Sequence, residues 1–152
     1  MAVKRIVLLG VVLSACGAGQ AAAQDCTSAS TAGMTPLQIK NLVSNQYACA
    51  NFSPTEHWNE LHNSSSGSGY VLDYKQGPTD PVDPSDTPSH PTGTFAISAP
   101  TGAQSPGVIT YTYGSSSFGY YVVDNLTHPQ YSFCGESGGA PQLAVTVQAS
   151  HC

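Results

Sequence analysis

Hydrophobic and polar positions alternate with a period of two along much of the chain. Tyr70, Leu72 and Tyr74 alternate with Val71 and Asp73, and Phe95 and Ile97 with Thr94 and Ala96. Ile109, Tyr111 and Tyr113 alternate with Val108, Thr110 and Thr112. Phe118, Tyr120 and Val122 continue the pattern, followed by Tyr131 and Phe133, then by Leu143, Val145 and Val147. Tyr47 to Ala50 reads as an earlier strand. Glycine- and serine-rich breaks punctuate these runs, at Gly114 with Ser115 to Ser117 and at Gly135 with Gly138 and Gly139. Short β-branched and aromatic runs separated in this way form hairpin-linked antiparallel strands. About seven or eight of them in sequence order predict a mostly β fold: a meander rolled into a small barrel or half-barrel that hides its edges, with a two-sheet sandwich as the alternative.

One segment breaks the pattern with helical spacing. Thr35 is a capping residue, Pro36 suits a first helical position, and Gln38 completes a capping box. Met34 and Ile39 occupy the two positions of a hydrophobic staple, and Ile39, Leu42 and Val43 repeat at helical intervals. The spacing predicts one N-terminal helix over about residues 36–45, its apolar face covering the sheet or a barrel end. Residues 53–62 carry both signals. Ser53-Pro54-Thr55-Glu56 is a second capping-box pattern, whereas Trp58, Glu60 and His62 alternate with His57, Asn59 and Leu61 as in a strand. The Asn, Ser and Gly run from Asn63 to Gly69 is hairpin-loop chemistry and favours the strand.

The beginning of the chain sets the expected compartment. Lys4 and Arg5 precede an apolar run from Ile6 to Leu13, and small residues follow to Ala21-Ala22-Ala23. This is the pattern of a secretory signal peptide over 1–23. The run is far shorter than the ~20 residues a membrane span requires. Leu13-Ser14-Ala15-Cys16 also fits a lipobox, which would make Cys16 a lipidated first residue instead of leaving cleavage at Ala23. Residues 24–33 read as a flexible arm and 34–152 as a single disulfide-stabilised β domain. The expected location is the bacterial periplasm, cell surface or extracellular space, with membrane contact only through a lipid anchor at Cys16.

Four cysteines remain beyond residue 23: Cys26, Cys49, Cys134 and Cys152. An even number in a short exported chain reads as a disulfide framework, and none shows the clustered spacing of a zinc site. If residues 135–141 turn a hairpin, Cys134 and Cys152 lie at opposite ends of the last strand, too far apart to bridge. Each is then expected to pair with Cys26 or Cys49.

Charge narrows the range of partners. Beyond residue 23 the strong bases are Lys40 and Lys75, against nine acids. Such a surface cannot neutralise phosphates, which argues against nucleic-acid binding and against adsorption to anionic membranes. Three Asn-x-Ser/Thr sites, at Asn51, Asn63 and Asn125, matter only in a host that glycosylates them.

Four features invite chemical readings. Gly135-Glu136-Ser137-Gly138-Gly139 fits the G-x-S-x-G nucleophile pattern and resembles the Gly-Asp-Ser-Gly-Gly of trypsin-like proteases. Yet a strand follows it instead of a helix, no Asp or Glu occurs after Glu136, and a Gly-rich turn accounts for it. His57 and His62 are five residues apart, on opposite faces of a strand and about 140° apart on a helix, so they do not jointly ligate a metal. Trp58, Glu60 and His62 share one strand face, where the carboxylate and the imidazole suit either proton transfer or ligand contact. Pro78, Pro81 and Pro84 interleave with Asp80, Asp83 and Asp86 at intervals of three residues. In polyproline II this lines the acids ~9 Å apart, too far for all three to share one calcium ion. That stretch reads as an extended connection, a lid over a barrel mouth, or an acidic recognition strip. Last, Tyr111, Tyr113, Tyr120, Tyr121 and Tyr131 form either a stacking platform for sugars or apolar ligands, or cross-strand packing.

With no catalytic constellation or cofactor motif in view, the sequence points to a small non-enzymatic binding module. Trp58, Glu60, His62, Tyr111, Tyr113 and Tyr120 are the expected contact residues, and a small ligand, a glycan or an envelope protein the expected partner classes. A structural or surface-interaction envelope protein is the alternative, and a small hydrolase or metal-dependent enzyme using Glu60 and His62 is the third reading.

Overall fold

The computed structural model describes residues 26–53, 56–73, 90–136 and 142–152. Eight antiparallel strands close into a barrel in simple sequence order. They are β1 (Tyr47–Ser53), β2 (Glu56–Asn63), β3 (Ser68–Asp73), β4 (Gly93–Ser98), β5 (Val108–Tyr113), β6 (Ser116–Thr127), β7 (Gln130–Gly135) and β8 (Leu143–Gln148). β8 returns to β1 with Ala48 opposite Val147, so the meander is a full barrel and not a sandwich. Closure leaves no unpaired sheet edge. Within the ambiguous segment, Glu56–Asn63 is strand β2, as its period-two face indicated, with Leu61 opposite Tyr47 and Leu72.

Inward positions follow the alternation. Ala48, Val71, Phe95, Ile109, Tyr111, Tyr120, Val122, Phe133, Val145 and Val147 are buried in one core cluster. Burying each large apolar side chain contributes ~1.5–3 kcal/mol relative to exposure.

One end of the barrel is plugged. Helix α2 (Pro36–Val43) carries the full capping box, with Thr35 Oγ1 accepting from the Gln38 amide and Gln38 Oε1 accepting from the Thr35 amide at 2.8 Å. Its Ile39 and Val43 are buried in the core cluster, with Met34 and Leu42 packed against it. Asn45 ends the helix in the left-handed region, at φ 53°, a conformation Asn tolerates better than most residues. The Asn45 amide then donates to the His62 carbonyl and the His62 amide to the Gln46 carbonyl, fixing the helix to the end of β2. Gly107 permits this close seat, since a Cβ there would lie 2.9 Å from the Pro36 nitrogen.

Of the segment read as an arm, Cys26–Ser28 forms a 3-10 turn and Ala29–Ala32 (α1) a single α-helical turn. Ala29 is buried, and the Met34 amide donates to the Val122 carbonyl of β6. The disulfides are Cys26–Cys134 and Cys49–Cys152, so Cys134 and Cys152 pair with different partners, as the hairpin geometry required. The leader-like residues 1–23, the lipobox Cys16, the Asp/Pro stretch over 78–86 and Ser137 to Gly139 lie outside the described residues.

Candidate functional site

The end of the barrel opposite α2 receives the ends of β1, β3, β5 and β7 and the starts of β2, β4, β6 and β8. Inward side chains in this half wall a cavity of about 270 Å³, lined by Trp58, Glu60, Tyr111, Tyr113, Phe118, Tyr120 and Leu143. Five of its seven lining residues are aromatic. Adjacent rings touch edge-on or offset: Trp58 to Tyr111 at 5.2 Å, Tyr111 to Tyr120 at 6.0 Å, Tyr113 to Phe118 at 6.3 Å and Tyr111 to Tyr113 at 6.4 Å between centroids. Such contacts add to the area term and hold the ring positions.

Glu60 is the acidic group of this wall and only 3% exposed. The Tyr113 hydroxyl donates to its carboxylate, lying 2.7 Å from Oε1 and 2.8 Å from Oε2. A charge-assisted bond of this length fixes both partners. Burial, then the nearby Glu60 charge, raises the pKa of Tyr111 and Tyr113 well above the ordinary phenol range and that of Tyr120 in the same direction. All three hydroxyls therefore stay protonated donors at neutral pH. Gly93 makes room for the Tyr113 ring, because a Cβ at that position would come within 2.8 Å of Tyr113 Cδ1.

His62 stands beneath the cavity and does not line it. It is fully buried. Its Nδ1 lies 3.2 Å from the Gln46 carbonyl oxygen and its Nε2 2.7 Å from the Tyr111 hydroxyl. A carbonyl only accepts, so Nδ1 carries the proton and Nε2 accepts from Tyr111. Burial pushes the His62 pKa down to about 4, against a smaller upward pull from the Gln46 carbonyl. His62 is thus neutral and positions Tyr111.

The structure brings Trp58, Glu60, Tyr111, Tyr113 and Tyr120 together on one cavity wall and places His62 one layer below them. The tyrosines do not form an exposed platform: Tyr111 and Tyr120 are 1% and 6% exposed, inside the barrel. Tyr131 also faces inward, stacked on His128 near the plugged end at 5.3 Å. Phe118 and Leu143 complete the wall and were not among the residues the sequence singled out. Their signal was present, since each shares a period-two face with a selected or core residue (Phe118 with Tyr120, Leu143 with Val145), but not which half of a strand borders the cavity. Among the described residues, no three His, Cys, Asp or Glu side chains gather as a metal site. Comparison with protein families, curated proteins and solved structures finds no match.

Proposed function

We propose that this chain is an exported, non-enzymatic binding module that takes one small ligand into the cavity in the half of its barrel away from α2. The observation that carries this reading is the cavity itself. An eight-stranded barrel is just wide enough either to be filled by its own side chains or to hold one small ligand. Here Ile39 and Val43 of α2 join the core cluster at one end, and the half away from α2 holds a cavity of about 270 Å³. An apolar wall with a few polar groups is the usual make-up of a ligand site. Enzymatic use of Glu60 with His62 gains no support, because both His62 nitrogens are committed to Gln46 and Tyr111. The two disulfides suit an oxidising compartment. None of the described helices is long and apolar enough to cross a membrane. Signal-peptide cleavage after Ala23 or lipidation at Cys16 would deliver the domain to the periplasm or to a membrane surface.

Trp58 is the sole tryptophan of the chain and stands in the cavity wall, so its emission reports on occupancy. Titration with 2-phenylethanol, a compact neutral probe, should give a saturable change with a dissociation constant on the order of 0.1–5 mM, as suits a ligand of this size. Leu143→Phe, which fills the wall, should weaken it at least tenfold while leaving the far-ultraviolet spectrum unchanged. A linear, unsaturable response in the wild-type protein, for this probe and for its charged analogues, would refute the binding reading.

A further inference from the structure

Resting on that reading, we infer that the ligand is a compact molecule with an apolar ring as its body and one acceptor oxygen, of the ketone or ether kind, and that the Tyr120 hydroxyl is the group that recognises this oxygen.

Trp58, Tyr111, Tyr113 and Tyr120 of the cavity wall each carry a polar hydrogen. Three of these hydrogens are spent on the protein itself. The Trp58 indole N–H donates to the Tyr113 hydroxyl oxygen. The Tyr113 hydroxyl donates to the Glu60 carboxylate, and the Tyr111 hydroxyl to His62 Nε2 beneath the cavity. Tyr120 differs. Among the described residues its hydroxyl has no hydrogen-bond partner; its neighbours are the rings of Tyr111 and Phe133, and it feels the Glu60 charge at longer range. Yet Tyr120 is only 6% exposed and lines the cavity. Burial, then the Glu60 charge, raises its pKa, so the hydroxyl keeps its proton and remains a donor at neutral pH.

A ligand that expels water from the cavity either meets this hydroxyl or strands it, and a stranded buried donor is costly. One acceptor oxygen meets it. A site that hydrogen-bonds a ligand group rejects analogues lacking that group far better than an apolar site rejects an added methylene. Tyr120 is therefore the seat of specificity, and the other rings with Leu143 supply the apolar surface against which the body packs. A sugar of equal size carries a hydroxyl on nearly every carbon and finds one uncommitted donor hydrogen in this wall; its remaining hydroxyls would exchange water for aromatic carbon. Size limits the ligand further. An engineered cavity of ~150 Å³ holds benzene, which gives roughly ten to a dozen non-hydrogen atoms for a site of about 270 Å³. Small aryl ketones and aryl ethers fall in that range.

The test uses acetophenone and α-methylstyrene, isosteres in which a carbonyl oxygen is replaced by a methylene group. Each is titrated calorimetrically at neutral pH into the full disulfide-bonded protein and into Tyr120→Phe. Acetophenone should saturate the wild-type protein, and Tyr120→Phe should weaken it by about fivefold or more. The hydrocarbon should bind Tyr120→Phe at least as tightly as it binds wild type. The infrared carbonyl stretch of bound acetophenone should lie below its position in alkane in the wild-type protein and return towards it in Tyr120→Phe; the wild-type spectrum stands by itself if that variant does not fold. Equal losses for the two probes, no loss for acetophenone, or a bound carbonyl at its alkane position would overturn the role of Tyr120 and leave the cavity reading intact. Failure of acetophenone to saturate where 2-phenylethanol does would likewise overturn this inference alone. Failure of all three probes would overturn both.

Discussion

His62 is fully buried in the barrel, donating through Nδ1 to a backbone carbonyl and accepting at Nε2 from Tyr111. Protonation turns Nε2 into a donor facing a hydroxyl that already points at it, and places a charge in the core. Burial accordingly lowers the pKa from the ordinary 6.5 to about 4. The sign follows from linkage. Between these two values the unfolded chain binds more protons at this residue than the folded one, so stability falls as pH falls. The contribution is fully present above 6.5 and is lost progressively towards 4. At about 1.36 kcal/mol per pH unit the whole window amounts to roughly 3 kcal/mol, of which about 2 kcal/mol is lost between pH 7 and pH 5. Urea unfolding of the wild-type protein and of His62→Gln at matched pH values isolates this group, because carboxylates contribute alike to both proteins. The stability difference between them should shrink by about 2 kcal/mol from pH 7 to pH 5. Parallel stability curves across that range would refute the buried, neutral assignment of His62.

Two other perturbations test the frame that holds the cavity. Replacing Cys49 and Cys152 together by Ser opens a link spanning 103 residues and should cost ~2–5 kcal/mol, read as a lower urea midpoint. Thr35→Ala removes the hydroxyl that accepts from the Gln38 amide; thermal unfolding should show a loss of ~0.5–2 kcal/mol, with probe binding in the distant cavity unchanged.

The parts of this molecule most legible in its sequence are those governed by local rules. The capping box at Thr35 and Gln38 and the staple of Met34 with Ile39 place α2 to within two residues at its C-terminal end. Period two identifies the strands, including β2, where Trp58, Glu60 and His62 had to share a face. What depends on strand order in space was less accessible. Closure requires β8 to pair with β1, a contact about 100 residues apart that no local pattern encodes. The depth of each inward side chain is likewise set by the register around the barrel. Glu60 and His62 lie on the same face of one strand, yet one lines the cavity and the other sits under it, sealed by the Gln46 carbonyl and the docked helix. Tyr111, Tyr113 and Tyr120 carry the same lesson: alternation puts them on one face of the sheet, and only closure turns that face inward.

The seam between β1 and β8 also bears on how the barrel resists coming apart. These are the two neighbouring strands that are not consecutive in the chain, and Cys49, which faces Thr146 of β8 in register, is bonded to Cys152 beyond it. At the other flank, Cys26 is bonded to Cys134 of β7. One tie joins β1 to the tail after β8 and the other joins the N-terminal turn to β7, so both ends of the described fold are tethered, which restrains the fraying from which proteolysis usually begins. The closed wall around the cavity is thereby held by a covalent tie at the one seam between strands that are not consecutive in the chain.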